Sequence, residues 1–165
     1  MIYLENELLY NAPTKISAEA QSKDFLVPIG KAKVEREGTD VSIVTFQRQV
    51  GNALVAAETL EKEGISAEVI NLRTIRPLDV DTLVQSLRKT NRMVTVEEGF
   101  PQFGVGSEIA ALMMEHAFDY LDAPVERITG ADVPMPYAKP LEDACMVQPH
   151  NIHNAAKRLC LGLKK

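Results

Sequence analysis

Between Met93 and His116 the hydrophobic pattern changes period once, and the rest of the chain repeats or flanks that unit. Met93-Val94-Thr95-Val96 is a short apolar, β-branched run without helical spacing, and it stops at Glu97, Glu98 and Gly99. Such a run predicts a parallel strand buried on both faces. From Val105 the apolar residues recur at threes and fours: Val105, Ile109, Leu112, Met113, Ala117, Tyr120 and Leu121 predict a helix. In an open α/β sheet, ligands bind in the crevice at the carboxyl ends of the strands. The turn from Glu97 to Gly106 is therefore the first place to look for chemistry.

The flanking segments extend the same alternation. Residues 1–4 predict a strand fragment, and residues 5–23 are polar, poorly periodic and broken by Pro13. Residues 31–37, the turn Gly38-Thr39-Asp40 and residues 41–46 predict a hairpin, with a first strand charged enough to stand at a sheet edge. Val50, Ala53, Leu54, Ala57 and Leu60 mark a helix that Gly64 ends. A strand follows at 67–72, and then Asp79 caps a helix striped by Val80, Leu83, Val84 and Leu87. Residues 125–129 predict a further strand, 130–140 a long turn, and Pro149 the start of a last helix carrying Ile152, Ala155, Ala156, Leu159 and Leu163. Strands alternating with helices imply right-handed crossovers between parallel neighbours. The fold class expected is a three-layer α/β sandwich, mostly parallel, with an antiparallel edge strand.

Composition narrows the partners. At 165 residues, 45% hydrophobic and 25% charged, the chain has enough material for a single core. No apolar run approaches the roughly 20 residues of a membrane helix. A formal net charge of -5 argues against a nucleic-acid backbone as partner and is compatible with a basic protein. Cys145 and Cys160 lack metal-ligand spacing and are expected to be free thiols of a reducing compartment.

Several residues are candidates for chemistry. Gly104-Val105-Gly106 at a helix start could cradle a phosphate through free N–H groups and the helix dipole, or could mark close packing of helix on strand. Ile109 stands where a dinucleotide fingerprint wants a small residue, so the fingerprint is incomplete. Glu97 and Glu98, adjacent at a strand end, point in opposite directions, which disfavours a shared proton and leaves one free to bond a neighbouring turn. Arg73 and Arg76 could hold an anion or pair with an acid or loop carbonyl. His150 and His153 have i, i+3 spacing but are only two ligands, and His116 is expected to pack beside its helix's apolar stripe. Glu115, Asp119 and Asp122 are spaced to share one side of the third helix near its C-terminal end, where negative charge opposes the dipole.

Four segments in order, Phe25-Leu26-Val27-Pro28-Ile29-Gly30-Lys31-Ala32, Asn71-Leu72-Arg73-Thr74-Ile75-Arg76-Pro77, residues 99–108 and residues 129–139, resemble one family. It is the beta subunit of the thiamine diphosphate-dependent pyruvate dehydrogenase component, in its C-terminal, transketolase-like domain. Leu4-Glu5-Asn6-Glu7-Leu8-Leu9-Tyr10 resembles the end of that subunit's preceding domain. The resemblance implies residues 1–24 as a remnant and linker, and 25–165 as an assembly domain. The family's thiamine diphosphate and magnesium lie between an alpha subunit and the beta subunit's N-terminal domain, at positions this sequence does not contain. The resemblance thus implies an inactive chain with no catalytic, cofactor-binding or metal residue.

The implied partners are the alpha subunit, a second beta subunit and the basic subunit-binding domain of the lipoyl acyltransferase, and an exposed apolar surface is expected to serve assembly. Asp122, within Tyr120-Leu121-Asp122-Ala123-Pro124, matches a family docking position, with Asp119 and the terminal carboxylate of Lys165 beside it. The resemblance implies the mitochondrial matrix, with a bacterial cytoplasm as the alternative. The rival reading of the residues is a stand-alone nucleotide- or small-anion-binding α/β protein.

Overall fold

Strands β1 (Lys33–Arg36), β2 (Val41–Thr45), β3 (Ala67–Asn71), β4 (Met93–Val96) and β5 (Glu126–Ile128) form one sheet in the order β1-β3-β2-β4-β5. The computed structural model describes residues 2–13 and 15–162. β2, β3, β4 and β5 run parallel, and β1 lies antiparallel on the outside of β3. Every residue of β2 and β4 is buried, as expected of strands covered by helices on both faces. The expected three-layer sandwich with an antiparallel edge is the observed architecture.

Helices α1 (Gln49–Lys62) and α5 (Pro149–Leu161) cover one face; α2 (Val80–Thr90) and α3 (Val105–Ala117) cover the other. Strand alternation divides the core accordingly. Ile43, Val69 and Val94 join Ala53, Ala57, Leu60 and Ile152 on the first face. Val44, Ile70 and Met93 join Leu83, Leu87, Ile109 and Met113 on the second. Each fully buried large aliphatic chain contributes about 1.5–3 kcal/mol.

The second face also holds a polar cluster that the periodic pattern conceals. Ser42 Oγ lies 2.5 Å from Ser86 Oγ and 2.6 Å from Thr90 Oγ1, and Ser86 Oγ donates to Glu68 Oε1 at 2.5 Å. Glu68, 1% exposed, is paired with Lys89. Burial lowers the Lys89 pKa, but the bonds to Glu68 and Glu37 outweigh it and hold the ammonium above its ordinary value.

The expected hairpin does not form, because β3 lies between β1 and β2. An all-buried strand such as β2 needs a neighbour on each side, which a charged edge strand supplies poorly. The Gly38-Thr39-Asp40 turn instead crosses the start of β3: Thr39 and Asp40 N–H donate to Ser66 O at 3.1 and 2.9 Å, and Asp40 Oδ2 accepts from Ser66 N–H at 2.7 Å. A Cβ on Gly38 would collide with the backbone of Ala67 and Glu68, so glycine is required there by close approach.

Three further expectations are corrected. Ile2, Tyr3 and Leu4 carry no strand, Met1 lying outside the described residues. The stretch taken as one long turn ends in a short helix, α4 (Lys139–Cys145), with Pro140 in its first turn. The third helix stops at Ala117, and Phe118–Tyr120 form a separate 3-10 turn, so Tyr120 and Leu121 do not continue its stripe. Leu163 of the last helix's expected stripe lies outside the described residues.

Candidate functional site

The turn between β4 and α3 is closed by the chain itself. Glu97, 5% exposed, turns its carboxylate onto the N-terminus of α3, where Oε2 accepts from Val105 N–H at 3.0 Å and Oε1 from Gly106 N–H at 2.8 Å. These are donors that the helix cannot satisfy internally, and the dipole favours a negative group there. A Cβ on Gly104 would lie 2.5 Å from Glu97 Oε1, and one on Gly106 would strike Thr95 Oγ1. Of the two readings of Gly104-Val105-Gly106, close packing is the one observed, and a phosphate would meet a carboxylate.

Glu98 points elsewhere. Its Oε1 accepts from Gln49 Nε2 at 2.9 Å and lies 3.6 Å from Arg48, while Oε2 accepts from Asn6 Nδ2 at 3.2 Å. The two acids therefore share no proton, as their positions on the strand predict. Arg127 straps the loop from the next strand: its Nη1 donates to Pro101 O at 2.7 Å and to Ser107 Oγ at 2.6 Å. Gly130 N–H donates to Gly99 O at 3.0 Å, tying the loop after β5 to the loop after β4.

The other candidates are dispersed. Arg73 and Arg76 are exposed and, among the described residues, pair with neither an acid nor a loop carbonyl, contrary to expectation. His150 is exposed, whereas His153 Nε2 lies 3.2 Å from Glu63 Oε2, a carboxylate also held by Lys157 at 2.9 Å. The Lys157 bond holds the Glu63 carboxyl below its ordinary value despite desolvation. Among the described residues no group of three or more His, Cys, Asp and Glu could hold a metal ion. His116 does not pack beside the stripe; its side chain is exposed, 4.0 Å from Glu115. Cys145 and Cys160 are free, and burial raises the Cys160 thiol above its usual range.

The three acids at the far end of α3 do not share a helix face, because the helix has ended before two of them. Glu115 is on α3, Asp119 in the 3-10 turn and Asp122 beyond it. Asp122 Oδ2 is 2.7 Å from Arg92 Nη2, its N–H donates to Asn91 O at 2.9 Å, and its carboxylate is about half exposed. Asp119 is exposed, and Lys165 lies outside the described residues. The pairing of Asp122 with Arg92 had no signature in spacing, since the partners come from different elements.

Exposed apolar side chains gather on the loops at the carboxyl ends of the strands. Phe100 and Phe103 follow β4, and Val133, Met135 and Tyr137 follow β5, with Phe103 93% exposed. Exposure of several large apolar groups on adjoining loops is the mark of a contact surface.

Comparison with known proteins agrees with this architecture. The family described as "Transketolase, C-terminal domain" matches residues 30–152. Over 159 residues, 96% of this chain, the sequence is 69% identical to the mitochondrial pyruvate dehydrogenase E1 component subunit beta of Dictyostelium discoideum, covering 45% of that protein. The corresponding protein of Bos taurus is 60% identical over 159 residues, again 96% of this chain and 44% of the relative. A solved split-gene transketolase, described as an inactive beta4 tetramer, superposes with a TM-score of 0.73 at 32% identity, covering 87% of this chain and 45% of that one. The chain thus spans a little under half the length of the curated relatives it matches, and the resemblance seen in its motifs holds across nearly all of its own length. It belongs to the transketolase C-terminal domain family.

Proposed function

We propose that this chain is the C-terminal assembly and docking domain of the beta subunit of the pyruvate dehydrogenase decarboxylating component, an oxidoreductase of the mitochondrial matrix. Identity to mitochondrial beta subunits over 96% of the chain supports the parent enzyme and the compartment. That enzyme uses thiamine diphosphate and magnesium to decarboxylate pyruvate and pass the acetyl group to a lipoyl acyltransferase. This domain's share is to hold the alpha subunit and the second beta subunit and to dock the acyltransferase's subunit-binding domain, through Asp122, Asp119 and Lys165.

One observation carries this division of labour: Glu97 fills the N-terminus of α3, the place where such a sheet would bind an anionic cofactor. The residues of this chain do not fit a diphosphate there, since it would face a carboxylate in place of free donors. The same observation disfavours a nucleotide-binding protein using that turn. The exposed Phe100, Phe103, Met135 and Tyr137 support assembly.

Calorimetric titration of the 165-residue chain with thiamine diphosphate and magnesium tests the reading. No binding is expected at micromolar concentrations; micromolar binding overturns it. Sedimentation is expected to show association of the chain with itself or with the alpha subunit, and a clean monomer that also ignores the alpha subunit refutes the assembly role.

A further inference from the structure

The outer faces of α2 and α3 differ in kind, although both helices cover the same side of the sheet. The exposed positions of α2 are Asp81, Gln85, Arg88 and Lys89, all polar, as a solvated helix face should be. Those of α3 are Glu108, Ala111, Met114, Glu115 and His116. Within α3 only Ser107, Glu108, Glu115 and His116 are polar, and a helix so apolar is ordinarily covered on both sides. Exposed Phe103 precedes it and exposed Phe118 follows it, so Ala111 lies midway along a ridge with an aromatic ring near each end. Met114 and Phe118 are each more than half exposed.

Charge is placed along the same ridge. At its start, Arg127 Nη1 donates to Pro101 O and Ser107 Oγ, which sets a cation against the first turn of α3. Toward its end stands Glu115, whose exposed carboxylate has only His116, at 4.0 Å, as a charged neighbour among the described residues. Ser107 and Glu115 are two turns apart, about 12 Å at 1.5 Å per residue. A cation at one end of an apolar ridge and a carboxylate at the other make a surface complementary to itself when two such helices run antiparallel. A chain with a net charge of -5 repels its own copy at long range, so a self-contact needs local pairs of this kind.

We infer that the outer face of α3 packs on the same face of a second copy of this chain, antiparallel about a two-fold axis at Ala111. Such an axis joins residues equally far before and after Ala111. Ser107, with Arg127 against it, then faces Glu115 of the other copy, and Phe103 comes level with Phe118 of the other copy. The small side chain on the axis lets the two helices approach to about 8–10 Å, the separation of packed helices. Because the contact is isologous, each pair is made twice. The inference rests on the assembly role proposed above and names the surface through which the second beta subunit is held.

Sedimentation equilibrium on the 165-residue chain and its variants is the test. The parent is expected to dimerise with a dissociation constant of about 10 micromolar or lower. Ala111→Arg, at an exposed helix position, is expected to weaken the dimer at least about tenfold while thermal unfolding of the monomer is unchanged. Glu115→Arg alone is expected to weaken it about fivefold, and adding Arg127→Glu in the same chain to recover most of that loss. Arg127 also straps Pro101 and Ser107, so where Arg127→Glu destabilises the chain, Ala111→Arg carries the decision. A parent that stays monomeric at about 100 micromolar, or a dimer that Ala111→Arg leaves intact, overturns the inference. The assembly role survives either result if the chain binds the alpha subunit. Loss of alpha-subunit binding in Ala111→Arg with self-association unchanged gives this face to that subunit and likewise overturns the two-fold contact.

Discussion

Glu97 and Asp122 stand at opposite ends of α3, and the same functional group does opposite work in the two places. Glu97 is buried and accepts two backbone N–H bonds from the helix's first turn, so it completes the fold and removes an anion site. Asp122 lies past the helix's C-terminal end, half exposed, with one guanidinium from Arg92 as its charged partner. The dipole rewards the first carboxylate and penalises acids near the other end. A charge held by one partner and kept half in water is available to something outside the molecule; one buried against a helix's first turn is already spent.

The largest effect is expected from breaking the first end. Glu97→Gln keeps the shape but presents an NH₂ to one of the two helix donors, leaving a buried N–H unpaired. A loss of about 2–4 kcal/mol is expected, measured by urea unfolding. Gly104→Ala attacks the same contact from the other side, because its Cβ would sit 2.5 Å from Glu97 Oε1. About 1–3 kcal/mol is expected, and if thermal unfolding is unchanged the carboxylate is not pinned as described.

Asp79 extends the comparison to a second helix start and gives it a pH signature. It caps α2 by accepting from Thr82 N–H at 3.4 Å, and also accepts from Ala32 N–H at 3.0 Å, joining the helix to the segment before β1. Burial raises its pKa, but these bonds, the Thr82 hydroxyl and Lys31 outweigh burial and hold it below the ordinary value. A lowered folded pKa means that the stabilisation is complete above the unfolded value of about 4 and is lost as pH falls through the folded one. Asp79→Asn is therefore expected to flatten the acid limb of the stability profile below about pH 4 and to cost about 0.5–2 kcal/mol at neutral pH at most. An unchanged acid limb would show that another carboxylate sets it.

How much of this was legible in the sequence follows from the range of the interactions. The five strand positions, the four long helices and the Asp79 cap were readable because each is written in local period or in a residue within one turn. Strand order was not. Gly38-Thr39-Asp40 has hairpin chemistry, and only its collision geometry with Ala67 and Glu68, nearly thirty residues away, makes it a crossing. The short helix Lys139–Cys145 was hidden by three prolines that look like a loop until one of them is placed in a first turn. At the site, the two glycines announced a close approach but not its object. Gly104 and Gly106 face Glu97 and Thr95 in the way that they would face a phosphate, and the adjacent carboxylate at the strand end was the available clue. The Arg92 to Asp122 pair and the Arg158 to Glu126 pair join elements distant in the chain, for which one sequence holds no signal.

The smallest effects on the fold are expected at the other end of α3, where they discriminate between the acids. Asp122→Asn removes an exposed ion pair and is expected to cost no more than about 1 kcal/mol in stability. Binding to the acyltransferase's subunit-binding domain is expected to weaken at least about tenfold, because a basic partner that desolvates Asp122 loses a charge-assisted bond. Arg92 complicates the reading in a measurable way. If Asp122 serves only as a partner for Arg92, then Arg92→Met and Asp122→Asn should weaken docking equally or not at all; if Asp122 meets the partner itself, Asp122→Asn should be the more damaging. Glu115→Gln changes an acid that is more exposed than Asp122 and lies 4.0 Å from His116, on the helix rather than beyond it. It removes a charge that opposes the dipole, so stability should be unchanged or rise by a few tenths of a kcal/mol. Docking should keep its equilibrium constant to within about threefold and lose only part of its salt dependence, as a rim charge does. Equal losses for Glu115→Gln and Asp122→Asn would mean that the partner senses the net charge of this end of the molecule, and that no single carboxylate there is a docking residue.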